Sequence, residues 1–373
     1  MDRSINEHVK ADLARKIVLV TGPRQSGKTT LSKSLFDSFD YLNYDFLPHR
    51  LALKDLKWNR SVPLLVLDEI HKMRNWKSWL KGVYDVEGLN PAILVTGSSQ
   101  LDTYKKMGDS LAGRFFQYRL HPLDCREIAV RHPVDQSLNR LMTVGGFPEP
   151  FLEGDRAFYQ KWQRTHLDII LRQDLLDLTA VRDIASIETL IELLKTRVAS
   201  TVSYASLSRD LERDATTIKR WLSLLENLYV IFKITPYAGT VARSIRKEPK
   251  FYFYDVAICN DTPGPQVENI VAAALLKEIH FQEDTGQGRL AVHFLRTKDG
   301  DEVDFIILKN KKPSLMIEVK LSDDRIHPGL KKWGGHFPGV PRLQLVRGLK
   351  KPYSTSDAIQ VLDLETWLTK FSL

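Results

Sequence analysis

The stretch Ile17-Val18-Leu19-Val20-Thr21-Gly22-Pro23-Arg24-Gln25-Ser26-Gly27-Lys28-Thr29-Thr30 decides how the rest of the chain is read. Its first half is an apolar run rich in β-branched residues, the pattern of a buried strand. Its second half is Gly-x-x-x-x-Gly-Lys-Thr, opening a helical segment from Thr29 to Phe36. Gly22 and Gly27 tolerate the backbone angles that let the N–H groups of Gln25 to Lys28 curl around phosphate oxygens. Pro23, Arg24 and Ser26 complete that loop and Thr30 follows it. Lys28 is expected to reach the β- and γ-phosphates of ATP, and the Thr29 hydroxyl to hold Mg²⁺. The partial positive charge of the helix N-terminus favours the same anion.

Around this loop lies a chain of 373 residues, enough for two to four domains. Its 43% hydrophobic and 27% charged residues are ordinary for a globular protein. No apolar run reaches the length of a membrane span, and Met1 to Lys10 lacks the apolar stretch of a secretory signal, so neither is expected. Cys125 and Cys259 stand far apart without a Cys-x-x-Cys or His-paired spacing. That usage points to buried thiols in a reducing, cytoplasmic setting, with no disulfide framework or zinc site. A net charge of +8 permits a polyanionic partner without requiring one.

The next strong signal is Pro63-Leu64-Leu65-Val66-Leu67-Asp68-Glu69-Ile70. A continuous apolar run suits a strand covered on both faces of a parallel sheet, and the carboxyl ends of such strands carry ligand chemistry. Asp68 is expected to bind Mg²⁺ through its water shell, and Glu69 to polarise the attacking water as general base. A third run, Ala92 to Thr96, leads into Gly97-Ser98-Ser99; Ser98, with Ser99 in reserve, is the candidate to sense the γ-phosphate or hold the attacking water, with a plain polar turn as the alternative. Gly113-Arg114 precedes a further strand, Phe115 to Leu120. Arg114 is a candidate arginine finger, in its own subunit or across an interface, against the alternative of a surface charge.

Gly22 to Thr30, Leu67-Asp-Glu-Ile70, Thr96-Gly-Ser-Ser99, Leu111-Ala-Gly-Arg114, Pro122-Leu-Asp-Cys-Arg-Glu127 and Gly145-Gly-Phe-Pro-Glu149 follow one another in order. Together they resemble the prokaryotic AAA-type ATPases that carry a C-terminal domain of unknown function. The resemblance covers nearly the whole chain. It implies a five-stranded core, a winged-helix segment, a restriction-endonuclease-like tail and assembly into rings or partial rings, and it leaves the substrate open.

Residues 131 to 200 read as mostly helical, with three- and four-residue apolar spacing over Phe158 to Val181 and Ile187 to Ala199. A lid over the nucleotide is the expected role, with Arg172 either a second inter-subunit arginine or a solvated charge. Tyr204 to Asp214 then reads as a short helix and turn, with Asp214 placed to cap a second helix. In that helix Ile218, Trp221, Leu222, Leu225 and Leu228 form a buried stripe, leaving Thr216, Thr217, Lys219 and Arg220 outward. Threonines and basic residues near the start of a second helix suit major-groove contact with DNA. Strand-like Tyr229 to Thr235 and Phe251 to Tyr254 bracket a basic tip, a wing whose Arg243, Arg246, Lys247 and Lys250 are candidates to meet phosphates. The alternative is a lid or a protein dock.

In the tail, Pro265 to Phe281 reads as a helix bearing Glu268, and Val292 to Arg296, Asp301 to Leu308 and Ser314 to Leu321 as strands. Glu302 and Asp304 share one strand face, as do Glu318 and Lys320. Asp…Glu-x-Lys on adjacent strands is how restriction-endonuclease-like domains hold a divalent metal, with the lysine positioning water. Glu268, Asp304 and Glu318 with Lys320 are therefore the candidate second metal site. The alternative is a nuclease scaffold that no longer cuts.

The expectation is thus an α/β chain. It comprises a P-loop ATPase core with a parallel five-stranded sheet over 1–128, a helical lid over 129–200, a winged helix-turn-helix over 201–260 and a PD-(D/E)xK nuclease-like domain over 261–373. The expected function is Mg-dependent ATP hydrolysis coupled to remodelling or translocation of a macromolecule, with DNA as partner and self-association as a ring or partial ring. A nucleotide-switched module that binds a protein, and an ATP-gated endonuclease in defence, are the alternatives.

Overall fold

Strands without a polar side must be covered on both faces, and the apolar runs of the first 120 residues meet that demand by pairing in one sheet. The computed structural model describes residues 2–97, 111–174, 183–237, 248–259, 262–297 and 300–373. It separates into two compact units. One holds residues 1–122 with 227–229, the other 123–226 with 230–373. The first unit therefore ends at Pro122, before the expected boundary at residue 128.

In the first unit, β1 (Ile17–Thr21), β2 (Asp40–Asn43), β3 (Leu64–Asp68), β4 (Ala92–Thr96) and β5 (Phe115–Arg119) stand in the order β2-β3-β4-β1-β5. Every neighbouring pair is parallel. Every residue of β1 and β3 is buried. Side chains alternate between faces, so Ile17, Leu19, Leu65, Leu67, Ile93 and Val95 share one side. There they form a core with Leu53 of α3 (Leu47–Lys54) and Trp76, Leu80 and Val83 of α4 (Trp76–Glu87). α1 (Asn6–Leu13) packs on β1 and β4, and α2 (Lys28–Ser34) on β3 and β4. The register sets Thr96 beside both Val20 and Asp68, so the carboxyl ends of β1, β3 and β4 lie at one edge.

The second unit begins with α5 (Cys125–Ala129), α6 (Val134–Val144), α7 (Pro148–Glu153) and α8 (Arg156–Ile169). A helix over Ile184–Lys195 precedes the helix pair Tyr204–Asp210 and Ala215–Asn227. The Asp214 carboxylate accepts the Thr216 and Thr217 N–H groups, the cap expected from sequence. Ile218, Trp221, Leu222 and Leu225 are buried, while Thr216, Lys219 and Arg220 are exposed and Thr217 is half-buried. An antiparallel pair follows, β6 (Ile231–Ile234) with β7 (Lys250–Phe253), and Thr201 forms a bridge to Lys250.

The tail is a helix over Pro263–Asp284 followed by a six-stranded mixed sheet. β8 (Leu290–Arg296), β9 (Glu302–Lys309) and β10 (Lys312–Lys320) are antiparallel neighbours. β11 (Arg342–Val346) pairs parallel with β10 and with β13 (Ile359–Asp363), and the short β12 (Tyr353–Ser354) closes the edge. Val303, Ile306, Leu308 and Met316 join Leu330, from the helix Pro328–His336, in a core under this sheet.

α5 groups with the tail because of a buried ion network that sequence spacing does not reveal. Lys277 Nζ lies 2.6 Å from Glu127 and 3.3 Å from Asp124, and Arg126 pairs with Asp124 and Glu278. Breaking one partner of such a set leaves an uncompensated buried charge, which costs about 3–5 kcal/mol.

Candidate functional site

The turn after β1 is shaped by three residues with positive φ: Gly22 (144°), Gln25 (59°) and Gly27 (96°). At Gly22 there is no room for a side chain, since a Cβ would stand 2.3 Å from the Leu120 carbonyl oxygen. The Lys28 ammonium folds back over the loop and donates to the carbonyls of Gly22 (2.9 Å) and Pro23 (2.5 Å). Arg3 braces the turn from below α1, donating to the Ser26 carbonyl at 2.9 Å and to that of His121. The Ser26 hydroxyl is buried without a hydrogen-bond partner.

Asp68, at the end of β3, gathers three hydroxyls. Its Oδ2 accepts from Thr29 at 3.0 Å and from Tyr41 at 2.6 Å, and its Oδ1 accepts from Thr96 at 2.6 Å. Burial and the bond to Asp68 push the Tyr41 phenol up to about 12, so it remains a donor. The sequence reading places Thr29 and Asp68 at one Mg²⁺ site, and here they touch. Hard oxygen donors of this kind suit Mg²⁺, so the residues present fit the ion. Tyr41, Thr96 and Arg3 were not anticipated; a tyrosine inside a short strand and an arginine before a mostly polar helix have no motif.

Glu69 stands in the left-handed region (φ 57°), uncommon for a residue with a side chain and frequent at functional sites. Its N–H donates to the Thr96 carbonyl at 3.0 Å, while its Oε2 is buried without a hydrogen-bond partner. Burial raises its carboxyl above the usual range, against the pull of Lys72, with Asp68 adding to the rise. His71 Nε2 is 3.4 Å from Glu69 Oε2, and burial with the charge of Lys72 holds the imidazole down to about 4.

Arg114 lies at the amino end of β5, next to the Ile17 start of β1 and away from the loop at the other end. It makes a paired contact with Asp85, Nε to Oδ1 at 2.8 Å and Nη2 to Oδ2 at 3.3 Å. This position departs from an arginine finger acting within its own subunit. Arg172 is exposed and pairs with Asp168. Ser98, Ser99, Arg243, Arg246 and Lys247 lie outside the described residues.

In the tail the structure does bring Glu268, Asp304, Glu318 and Lys320 together, with a fifth participant. Lys250, expected at a solvated wing tip, is instead 1% exposed. Its Nζ lies 3.0 Å from Glu268 Oε1, 2.5 Å from Glu302 Oε1 and 3.7 Å from Asp304 Oδ1. It cannot meet a phosphate from there, which corrects that expectation. Tyr252 also donates to Glu268 at 2.7 Å. Glu318 Oε2 accepts the Asp304 N–H at 3.3 Å, and its Oε1 takes the Lys320 ammonium at 2.6 Å. Burial would lower the Lys250 ammonium, but Glu268, Asp304 and Glu302 outweigh it and raise it. Among the described residues no group of three or more acidic, histidine or cysteine side chains is arranged to hold a metal ion. Glu268 and Asp304 with Lys250, and Glu318 with Lys320, form an internal ion cluster.

Comparison with known proteins agrees with the geometry of the first unit. Residues 14–129 match the sequence profile of an AAA domain. Residues 135–264 and 263–367 match two domains of unknown function, DUF8612 and DUF4143. The chain carries an AAA-type, ATPase-like domain with a parallel five-stranded sheet, followed by helices and a C-terminal mixed sheet. An uncharacterised protein of Mycobacterium tuberculosis is 27% identical over 66% of this chain, which spans 56% of that relative. One from Methanocaldococcus jannaschii is 25% identical, over 86% of this chain and 78% of its own length. A Thermotoga maritima RuvB variant is similar at 17% identity over 61% of this chain and 87% of its own, with a TM-score of 0.31. No helix among the described residues is long and apolar enough to cross a membrane.

Proposed function

We propose that the protein binds ATP with Mg²⁺ in the turn after β1 and hydrolyses it. The contact between Thr29 and Asp68 at 3.0 Å carries this reading, because it joins the phosphate loop to the acidic strand at one point. Bound Mg²⁺ supplies charge neutralisation at the β- and γ-phosphates. Thr29 and Asp68 hold it, and Tyr41 and Thr96 fix the Asp68 carboxylate. Lys28 exchanges the Gly22 and Pro23 carbonyls for phosphate oxygens, a trade of neutral acceptors for charged ones that favours the nucleotide. Glu69 receives the proton of the attacking water; a carboxyl raised by burial and without a hydrogen-bond partner on Oε2 suits a general base.

The finer part of the proposal is that hydrolysis drives remodelling or translocation of DNA. The outward Thr216, Lys219 and Arg220, on a capped helix followed by the β6–β7 pair, support a winged helix-turn-helix that meets a duplex. Arg114, at the far end of β5 from its own loop, fits a role at a neighbour's nucleotide in a ring or partial ring. ATP turnover measured on Glu69→Gln tests the chemistry. The variant is expected to bind ATP as tightly as the native chain and to hydrolyse it about 10²–10⁴-fold more slowly. Turnover at the native rate would remove Glu69 from the role of base.

A further inference from the structure

The β8–β9–β10 sheet, with the helix Pro263–Asp284 before it and Pro328–His336 after, carries its carboxylates where a metal-dependent nuclease would. The cation among them belongs to the chain. Lys250 enters from the first residue of β7, where its backbone is bridged to Thr201 and paired with Ile234. Its ammonium meets three carboxylates from two elements, Glu268 on the helix and Glu302 and Asp304 on β9. The Phe294 ring lies beneath it, 5.4 Å from centroid to Nζ, a further favourable contact for a cation. With 1% of its surface exposed, the side chain has no open path to solvent.

Mg²⁺ or Mn²⁺ would need oxygens of this same set at roughly 2.0–2.2 Å. A metal held by Glu268 or Asp304 would compete with Nζ, 3.0 Å and 3.7 Å from their oxygens, for the same carboxylates and would meet a like charge beside it. The other half of the expected metal site is used as well, because Glu318 is held by Lys320 at 2.6 Å and faces His327 at 3.3 Å.

We propose that Lys250 is a tethered cation standing permanently in place of a metal, so that the tail is a metal-independent scaffold pinned by charge to strand β7. Its carboxylates then serve to fasten the β6–β7 pair to the mixed sheet rather than to cut a phosphodiester. This proposal is independent of the ATPase reading and stands or falls separately from it.

The test is Mn²⁺ titration of the full, nucleotide-free chain, with free ion counted by electron paramagnetic resonance. The native chain, Asp304→Asn and Glu318→Gln are expected to give superimposable curves. A native chain holding one equivalent of Mn²⁺ that either variant loses would overturn the proposal. Lys250→Met is expected to gain one equivalent, lost again when Asp304→Asn is added. If Lys250→Met folds and its Mn²⁺ curve does not change, the ammonium is not what excludes the metal and the proposal fails. If that variant does not fold, the native chain against Glu318→Gln and Asp304→Asn decides.

Discussion

Asp68 shows how few atoms define the proposed nucleotide site. One carboxylate takes hydroxyls from Thr29, Tyr41 and Thr96, which come from the loop helix and from the strands on either side of β3. His71, two residues beyond Glu69, gives the site a pH signature. Its imidazole titrates near 4 in the folded chain against 6.5 when free, chiefly because it is buried. Between those values the unfolded chain binds the proton and the folded chain does not. His71 therefore contributes its full stability above pH 6.5 and loses it as pH falls toward 4, by about 3 kcal/mol in all. Glu69, raised by burial, works in the opposite sense, so the comparison belongs in a Glu69→Gln background. There, denaturant unfolding at pH 7 and pH 4.5 is expected to show His71→Gln losing less stability than its parent on acidification. An equal loss in both would mean that the imidazole is solvated.

Among the elements, β1 and its turn carry the strictest geometric demand. Gly22→Ala would place a methyl group 2.3 Å from the Leu120 carbonyl, at a φ of 144° that residues with a side chain rarely adopt. The backbone cannot yield cheaply there, because Leu120 N–H is bonded to the Thr21 carbonyl at 2.8 Å. A loss of about 2–4 kcal/mol in unfolding free energy is expected, together with weaker ATP binding. A native-like melting curve would show that the turn relaxes freely. This element was legible in the sequence because a buried-strand run, the glycine spacing and a following helix coincide, which a glycine turn with a surface lysine does not require. β7 was not. Lys250 sits beside Pro249 in a run of basic residues, and charge alone marked it as solvated. Its position two residues before Tyr252, on the strand face shared by inward residues, was the available signal, and a lone lysine seldom follows it. Arg3 was hidden for a similar reason, since its partners, the carbonyls of Ser26 and His121, leave no trace in sequence.

On the scale of the whole molecule, a net charge of +8 allows a polyanion to be bound, and the proposed duplex contact is the outward face of the Ala215–Asn227 helix. Each phosphate neutralised adds about −0.9 to the slope of log affinity against log salt for duplex DNA. Lys219→Ala and Arg220→Ala are each expected to flatten that slope by about 0.9. Slopes unchanged in both would move the DNA contact off this helix. Lys250, though basic and near the same hairpin, is buried among carboxylates and is excluded from this set. The compact first unit stops at Pro122, whereas the AAA-domain match runs on to residue 129. Pro122 to Glu127 continues the motif order of the first unit, yet its charged residues are neutralised by Lys277 and Glu278 of the second.

The claim on which the rest depends is that the turn after β1 holds a nucleoside triphosphate through Lys28, with Thr29 and Asp68 holding its metal. Calorimetric titration of the native chain and of Lys28→Ala with Mg-ATP measures this directly. The native chain is expected to bind one equivalent, and Lys28→Ala to bind at least about a hundredfold more weakly, the loss of one charged hydrogen-bonding group at a phosphate. Equal affinity in the two proteins would contradict the account.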